Sequence, residues 1–371
     1  MNLKSGLFTV LTGLLLAVFF VNLASARSQK PKAATSAPQK AAPKRPAVRA
    51  EEVKINGAKL QLAGTLLLPE AEAGKRAPAV IIFGDASPAD RDGIPVGSSE
   101  HYLYRDLAVL LAGKGLAVLR FDPRCTGASE CRPHSSFDDF ILDGEAVVKY
   151  MRQRPDIDPQ RLAIFGHGEG GLQAIVAASH DEGGKDQLAG VVLAATAGRF
   201  GHRVIRDQVR VILADQGRSK EEIAAYVARM DQLFVRLNQG ESDFKDVALD
   251  PKNEADAKLI RLTQNPPFAF GLLTNDPLQT VKTIKAPVLI LQGDKDVLMP
   301  VSDAEYLDEA LQRESHPDFT MNIIKDADYV FKVNKGEKSL KSYRDTTRPL
   351  DQQFVSLLTE WLQKRLRTTG E

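Results

Sequence analysis

Cysteine is almost missing from this chain. Its 371 residues include two, Cys125 and Cys131, and six histidines. No histidine–cysteine spacing matches a zinc site, and no metal or cofactor is expected. A charge of one sign is also missing. Lys and Arg total 49 against 48 Asp and Glu, a formal net charge of +1. That balance offers no global field for nucleic acid or an anionic membrane surface. No internal repeat marks a solenoid. What remains is a chain with ordinary globular apolar and charged fractions, 43% and 26%. It is long enough for one large α/β domain with an insertion, or for two modest domains.

The N-terminus reads as separate from that fold. Lys4 precedes an apolar run from Leu7 to Leu23, and Ala24-Ser25-Ala26 follows. A basic start, an apolar stretch and a small-x-small site make residues 1–26 a secretory signal peptide, cut after Ala26. The rival is an uncleaved anchor, since the run is nearly long enough to span a bilayer; membrane contact would then come only through this segment. Residues 27–50 are rich in Lys, Pro, Ala and Ser, with no acidic residue from Arg27 to Arg49. They read as a disordered basic linker, a solvated spacer rather than a polymer- or lipid-binding arm. Export to the periplasm or beyond permits a disulfide. Cys125 and Cys131 are near enough in sequence to close a small loop, so they are expected to pair; two free thiols are the alternative.

From Glu51 the chain alternates. Val53–Ile55 and Leu60–Leu68 flank Asn56-Gly57, a hairpin signal. Strands are expected at Ala79–Phe83, Leu116–Phe121, Arg161–Phe165, Val191–Ala195, Pro287–Leu291 and Phe319–Ile324. Helices are expected at Tyr104–Lys114, from Ser136 to about Gln153, Ser302–Leu311 and Leu350–Leu366. Ser136…Asp139 and Ser219…Glu222 are spaced as capping boxes. Strand–helix alternation implies a mostly parallel sheet covered on both faces. The rhythm stops over about residues 200–284, where helical patterns dominate. That excursion between two strands reads as a cap over the functional end of the sheet.

One stretch organises the rest. Arg161-Leu162-Ala163-Ile164-Phe165 leads into Gly166-His167-Gly168-Glu169-Gly170-Gly171, and a helical segment follows. This is the strand–turn–helix setting of a nucleophile elbow, Gly-x-Ser-x-Gly, whose strained turn exposes a serine. Gly166 and Gly170 are in place; the serine position is Gly168.

Together these landmarks resemble the α/β-hydrolase superfamily over roughly residues 51–365. The nearest likeness is to secreted bacterial members with a helical cap, grouped with esterases and serine-aminopeptidase-like enzymes. Pro88-Ala89-Asp90-Arg91-Asp92-Gly93 resembles the family's Pro-x-Asp-Arg-Asp segment. Arg120-Phe121-Asp122-Pro123-Arg124 with Gly127 resembles its Asp-x-Arg-Gly-x-Gly loop. Gln292-Gly293-Asp294-Lys295-Asp296 resembles the segment carrying the acid. The resemblance implies a mostly parallel α/β-hydrolase sheet with an N-terminal antiparallel hairpin and a helical cap insertion. It also implies a serine, a carboxylate and a histidine in that chain order.

The likeness then breaks at its chemistry. Gly168 replaces the serine. Asp296 keeps the acid. Phe331 aligns with the phenylalanine of the family's Asn-His-x-Phe, which puts Tyr329 in the histidine slot. A phenol near pKa ~10 is a weak base at neutral pH; Tyr329 is expected to donate a hydrogen bond to Asp296 instead. The oxyanion loop reads Asp85-Ala86-Ser87 where relatives often carry Gly-Ser-Gly, and a carboxylate there opposes developing negative charge. Glu169 borders the same loop; it lines the pocket floor or favours the following helix N-terminus, the second being the preferred reading. His167 is read as structural, and the other histidines as surface residues. Asp90-Arg91-Asp92 is read as a loop brace rather than a cation site. The resulting expectation is an exported pseudo-hydrolase that binds a small or peptide-like ligand or a partner. Two alternatives stand beside it. One is an active esterase or peptidase with relocated groups such as Ser87. The other is a scaffold that uses only its outer surface.

Overall fold

A computed structural model describes residues 47–70, 75–85, 89–93, 102–181 and 187–367. The signal-peptide expectation, most of the linker, and Ala86, Ser87 and His101 lie outside these residues.

The chain opens with a hairpin of β1 (Val48–Asn56) and β2 (Gln61–Pro69), antiparallel from Val48↔Pro69 to Asn56↔Gln61. Strand β1 therefore begins inside the stretch read as linker: Val48, Arg49 and Ala50 are held by ladder bonds to Leu67–Pro69, which composition alone does not reveal. The turn differs too. Gly57 has no positive φ; Lys59 carries it, at 62°. Glycine is needed at 57 because a Cβ there would meet Asp143 Oδ1 at 2.5 Å.

Alternation then builds a parallel sheet: β3 (Ala77–Phe83), α1 (Leu103–Ala112), β4 (Ala117–Phe121), α2 (Phe137–Gln153), β5 (Ile157–His167), α3 (Glu169–Ser179) and β6 (Gly190–Ala194). Five helices follow without a strand: α4 (Gly201–Asp215), α5 (Lys220–Asn238), α6 (Glu254–Gln264), α7 (Pro266–Thr274) and α8 (Pro277–Val281). Then come β7 (Val288–Gly293), α9 (Val301–Arg313), β8 (Phe319–Ile324) and the closing α10 (Gln352–Leu366). The strand order is β1-β2-β4-β3-β5-β6-β7-β8, parallel from β4 to β8.

Local sequence explains the helix starts. Ser136 and Asp139 form a reciprocal capping box at α2, and Ser219 and Glu222 form one at α5. Each satisfies two otherwise unpaired N–H groups. The central strands are apolar on both faces because helices cover both. Val80 and Ile82 pack into one core with α1 and the cap; Ile81 and Phe83 pack into the other.

This order places the site. Strands β3 and β5 are neighbours, with Phe83 opposite Gly166, but their connections leave in different directions. A crevice opens outside the carboxyl ends of such strands. Gly84-Asp85 enters it from β3, and the elbow enters it from β5.

Candidate functional site

The elbow is built although its nucleophile is not. Gly168 sits at φ 57°, ψ −122°, between the end of β5 and the first turn of α3. An L-residue there is strained, whereas glycine is not. The flanking glycines serve close packing. A Cβ on Gly170 would strike the carbonyls of Phe83 and Gly84, and one on Gly171 would strike Thr196. A Cβ on Gly168 would land on the Tyr329 hydroxyl, with the Asp85 carboxyl carbon 3.1 Å away. The serine slot is thus occupied from outside by a side chain 244 residues from Asp85 in sequence.

Tyr329 does not bond Asp296, contrary to the expectation from its position in the histidine slot. Its hydroxyl donates to Asp85 Oδ2 at 2.6 Å. Burial, and then the neighbouring Asp85 charge, hold the phenol's pKa well above its usual value. Tyr329 therefore remains a proton donor at neutral pH and cannot serve as a base.

Asp296 is satisfied by other groups. Its Oδ1 accepts the N–H groups of Leu298 at 2.8 Å and Met299 at 2.9 Å, and its Oδ2 accepts Gln292 Nε2 at 3.0 Å. The Tyr343 hydroxyl lies 3.5 Å from Oδ1 and accepts the N–H of Tyr329 at 3.2 Å. Tyr343 was not singled out from the sequence. It lies in a 3-10 turn (Leu340–Arg344) of the long β8–α10 connection, where no motif marks it. Burial raises the Asp296 carboxyl to about 7, against the hydrogen bonds that lower it. Asp328 is directed elsewhere: it is fully buried and pairs with Arg348 at 2.6 Å.

His167 is structural. It is 1% exposed, with Nδ1 2.9 Å from the Tyr104 hydroxyl and Nε2 2.8 Å from the Tyr329 carbonyl. A carbonyl only accepts, so Nε2 carries the proton and Nδ1 accepts from Tyr104. Burial pulls the imidazole below its usual pKa, keeping it neutral. The Tyr104 hydroxyl in turn accepts the backbone N–H of Asp85 at 2.6 Å. One buried chain therefore ties the β3 loop to the Tyr329 segment through His167.

Glu169 stands in the first turn of α3, but its carboxylate is taken by the cap: Arg261 of α6 grips it with two bonds of 3.0 and 2.7 Å. The Asp90-Arg91-Asp92 brace reaches farther than local pairing. Arg91 binds Asp122 at 2.9 Å and Glu52 at 2.7 Å, while Asp92 pairs with Arg120. Cys125 and Cys131 are joined by a disulfide. Of the histidines read as surface residues, His134 and His180 are exposed and His202 is partly buried. His316 is buried instead, 8% exposed beside Phe319. Among the described residues no cluster of His, Cys, Asp and Glu could hold a metal ion.

The family model described as serine aminopeptidase, S33, matches residues 96–327. The chain belongs to that family. Its elbow and acid position fall inside the matched region, and Tyr329 falls just outside it. Among named relatives, polyketide transferase ATR5 of Stachybotrys chlorohalonatus is 23% identical over 279 residues, 73% of this chain and 86% of that protein. Thiohydrolase aneE of Aspergillus aculeatus is 40% identical over 70 residues, but these cover only 18% of this chain and 22% of that protein. Two solved structures share the fold: the Pyrococcus furiosus esterase Pf2001 and the α/β hydrolase GrgF of Penicillium sp. sh18. Each has a TM-score of 0.54 at 18% identity over 86% of this chain, covering 91% and 99% of the respective structure.

Proposed function

We propose that this protein is an exported member of its hydrolase family that has given up serine-hydrolase catalysis and acts by binding. One observation carries the reading. The space a nucleophile's Cβ would need is filled by the Tyr329 hydroxyl, itself bonded to Asp85. Acyl transfer requires a nucleophile, a base that takes its proton and an unopposed oxyanion site. Here the first position is glycine, the second is a phenol held protonated, and a carboxylate stands beside the third. Export is supported by the Ala24-Ser25-Ala26 site and by a disulfide suited to an oxidising compartment. What the protein binds is taken to be a small or peptide-like ligand under the cap, or a partner at its surface.

The test is hydrolysis of short acyl esters and acyl thioesters by the purified mature chain, beside Ser87→Ala and the double variant Gly168→Ser with Tyr329→His. The expected result is no turnover by the native chain above the uncatalysed rate. Turnover that Ser87→Ala abolishes would overturn the reading in favour of a relocated nucleophile. Thioesters are included because a thiohydrolase stands among the relatives.

A further inference from the structure

The Asp85 carboxylate occupies a peculiar place. Its carboxyl carbon and Oδ2 lie 3.1 and 3.2 Å from where a Cβ on Gly168 would stand, beside the start of α3. Its Oδ2 accepts the Tyr329 hydroxyl at 2.6 Å. Its backbone is held separately, by the N–H bond to Tyr104. From the cap side, α6 brings Arg261 to Glu169 at the start of α3, in two bonds of 3.0 and 2.7 Å.

An eleven-residue helix presents its N-terminus here, and helix N-termini favour negative charge. The Tyr329 O–H donates to the Asp85 carboxylate, and the Arg261 guanidinium stands at the same helix start. A carboxylate in this position therefore meets a hydrogen-bond donor and a helix N-terminus, with a guanidinium nearby.

We infer that the vacated reaction centre is a small-carboxylate site filled in cis: Asp85 is its internal ligand, and Tyr329 latches Asp85 in place. This rests on the non-catalytic reading above and deepens it by assigning the class of ligand the centre takes, a monocarboxylate, and by identifying what keeps it closed. Glycine at 168 then has a second role. Any side chain there would expel the Tyr329 hydroxyl and unseat Asp85.

The experiment uses the full mature chain and an isolated probe, sodium acetate, against sodium chloride at matched ionic strength. Thermal unfolding of the native protein and of Asp85→Ala is followed by circular dichroism. In Asp85→Ala, acetate is expected to take the emptied place and to raise the melting temperature by about 2 °C or more beyond chloride, as ligand linkage requires. In the native chain no acetate-specific rise is expected. Should Asp85→Ala not fold, Asp85→Ser carries the same test.

Two results overturn the inference: a native chain that responds to acetate as much as the variant, or a folded variant that does not respond at all. The two readings fail separately. Ester turnover by the native chain removes the non-catalytic reading itself. A silent native chain whose folded Asp85→Ala variant ignores acetate removes only the internal ligand.

Discussion

The nucleophile end and the acid end of this site have diverged. At the acid end Asp296 keeps its place at the end of β7, wrapped by two backbone N–H groups and Gln292. At the nucleophile end the turn is formed by Gly168, and the Tyr329 hydroxyl lies where a Cβ would stand. The bonds at the acid end satisfy the buried Asp296 carboxylate without a histidine partner. A nucleophile turn lacks such an anchor. At positive φ the turn has a conformational cost for any L-residue, and glycine minimises it.

That contrast can be broken most forcefully at Gly168. Gly168→Ser puts a Cβ at positive φ and onto the Tyr329 hydroxyl. It should destabilise the protein by about 3 kcal/mol, measured by urea unfolding. Adding Tyr329→Ala should recover part of the loss. No recovery would mean that the turn's conformation, and not the tyrosine, sets the cost.

A smaller effect separates the acid end by pH. Asp296 releases its proton near 7 when folded, above the ordinary carboxylate range near ~4 of the unfolded chain. Between those values the folded state holds a proton that the unfolded state has lost. Stability from this group therefore falls as pH rises from about 4 to 7, at most about 1.4 kcal/mol per pH unit. Asp296→Asn should flatten that part of the stability–pH curve and gain relative to the native chain at pH 8 compared with pH 5. Parallel curves for the two proteins would show that Asp296 titrates normally.

The smallest expected effect tests the clasp between the two layers. Arg261→Gln leaves Glu169 without its bidentate cap partner. The pair is partly exposed, so the loss should be about 1 kcal/mol or less. It should show as faster amide exchange in α6 with little change in β5. Equal acceleration in both would mean that cap and sheet open as one unit.

Much of this was legible before any coordinates. Strand–helix alternation, two capping boxes and the Gly166–Gly171 cluster specify a parallel sheet with an elbow, because each rests on local periodicity or local hydrogen bonds. Gly168 at the apex of the elbow is likewise read directly in register with its motif. Partners across the fold were not legible. The motif register points Tyr329 at Asp296, yet its hydroxyl bonds Asp85. Glu169 was assigned to its own helix and bonds Arg261. Tyr343 carried no signal at all. The burial of His316 and the pairing of Val48–Ala50 with β2 were equally out of reach.

The division has a physical cause. The periods of 2 and 3.6, the caps and the glycine turn depend on neighbours a few residues apart, so the sequence by itself determined the sheet, the elbow and the absence of a serine at its apex. A side-chain hydrogen bond forms with whichever donor or acceptor the fold brings within about 3 Å. Asp85 and Tyr329 meet only because β3 lies beside β5 and the β8–α10 connection folds back across both. That the vacant slot is filled, and that a carboxylate helps to fill it, was decided by the tertiary structure alone.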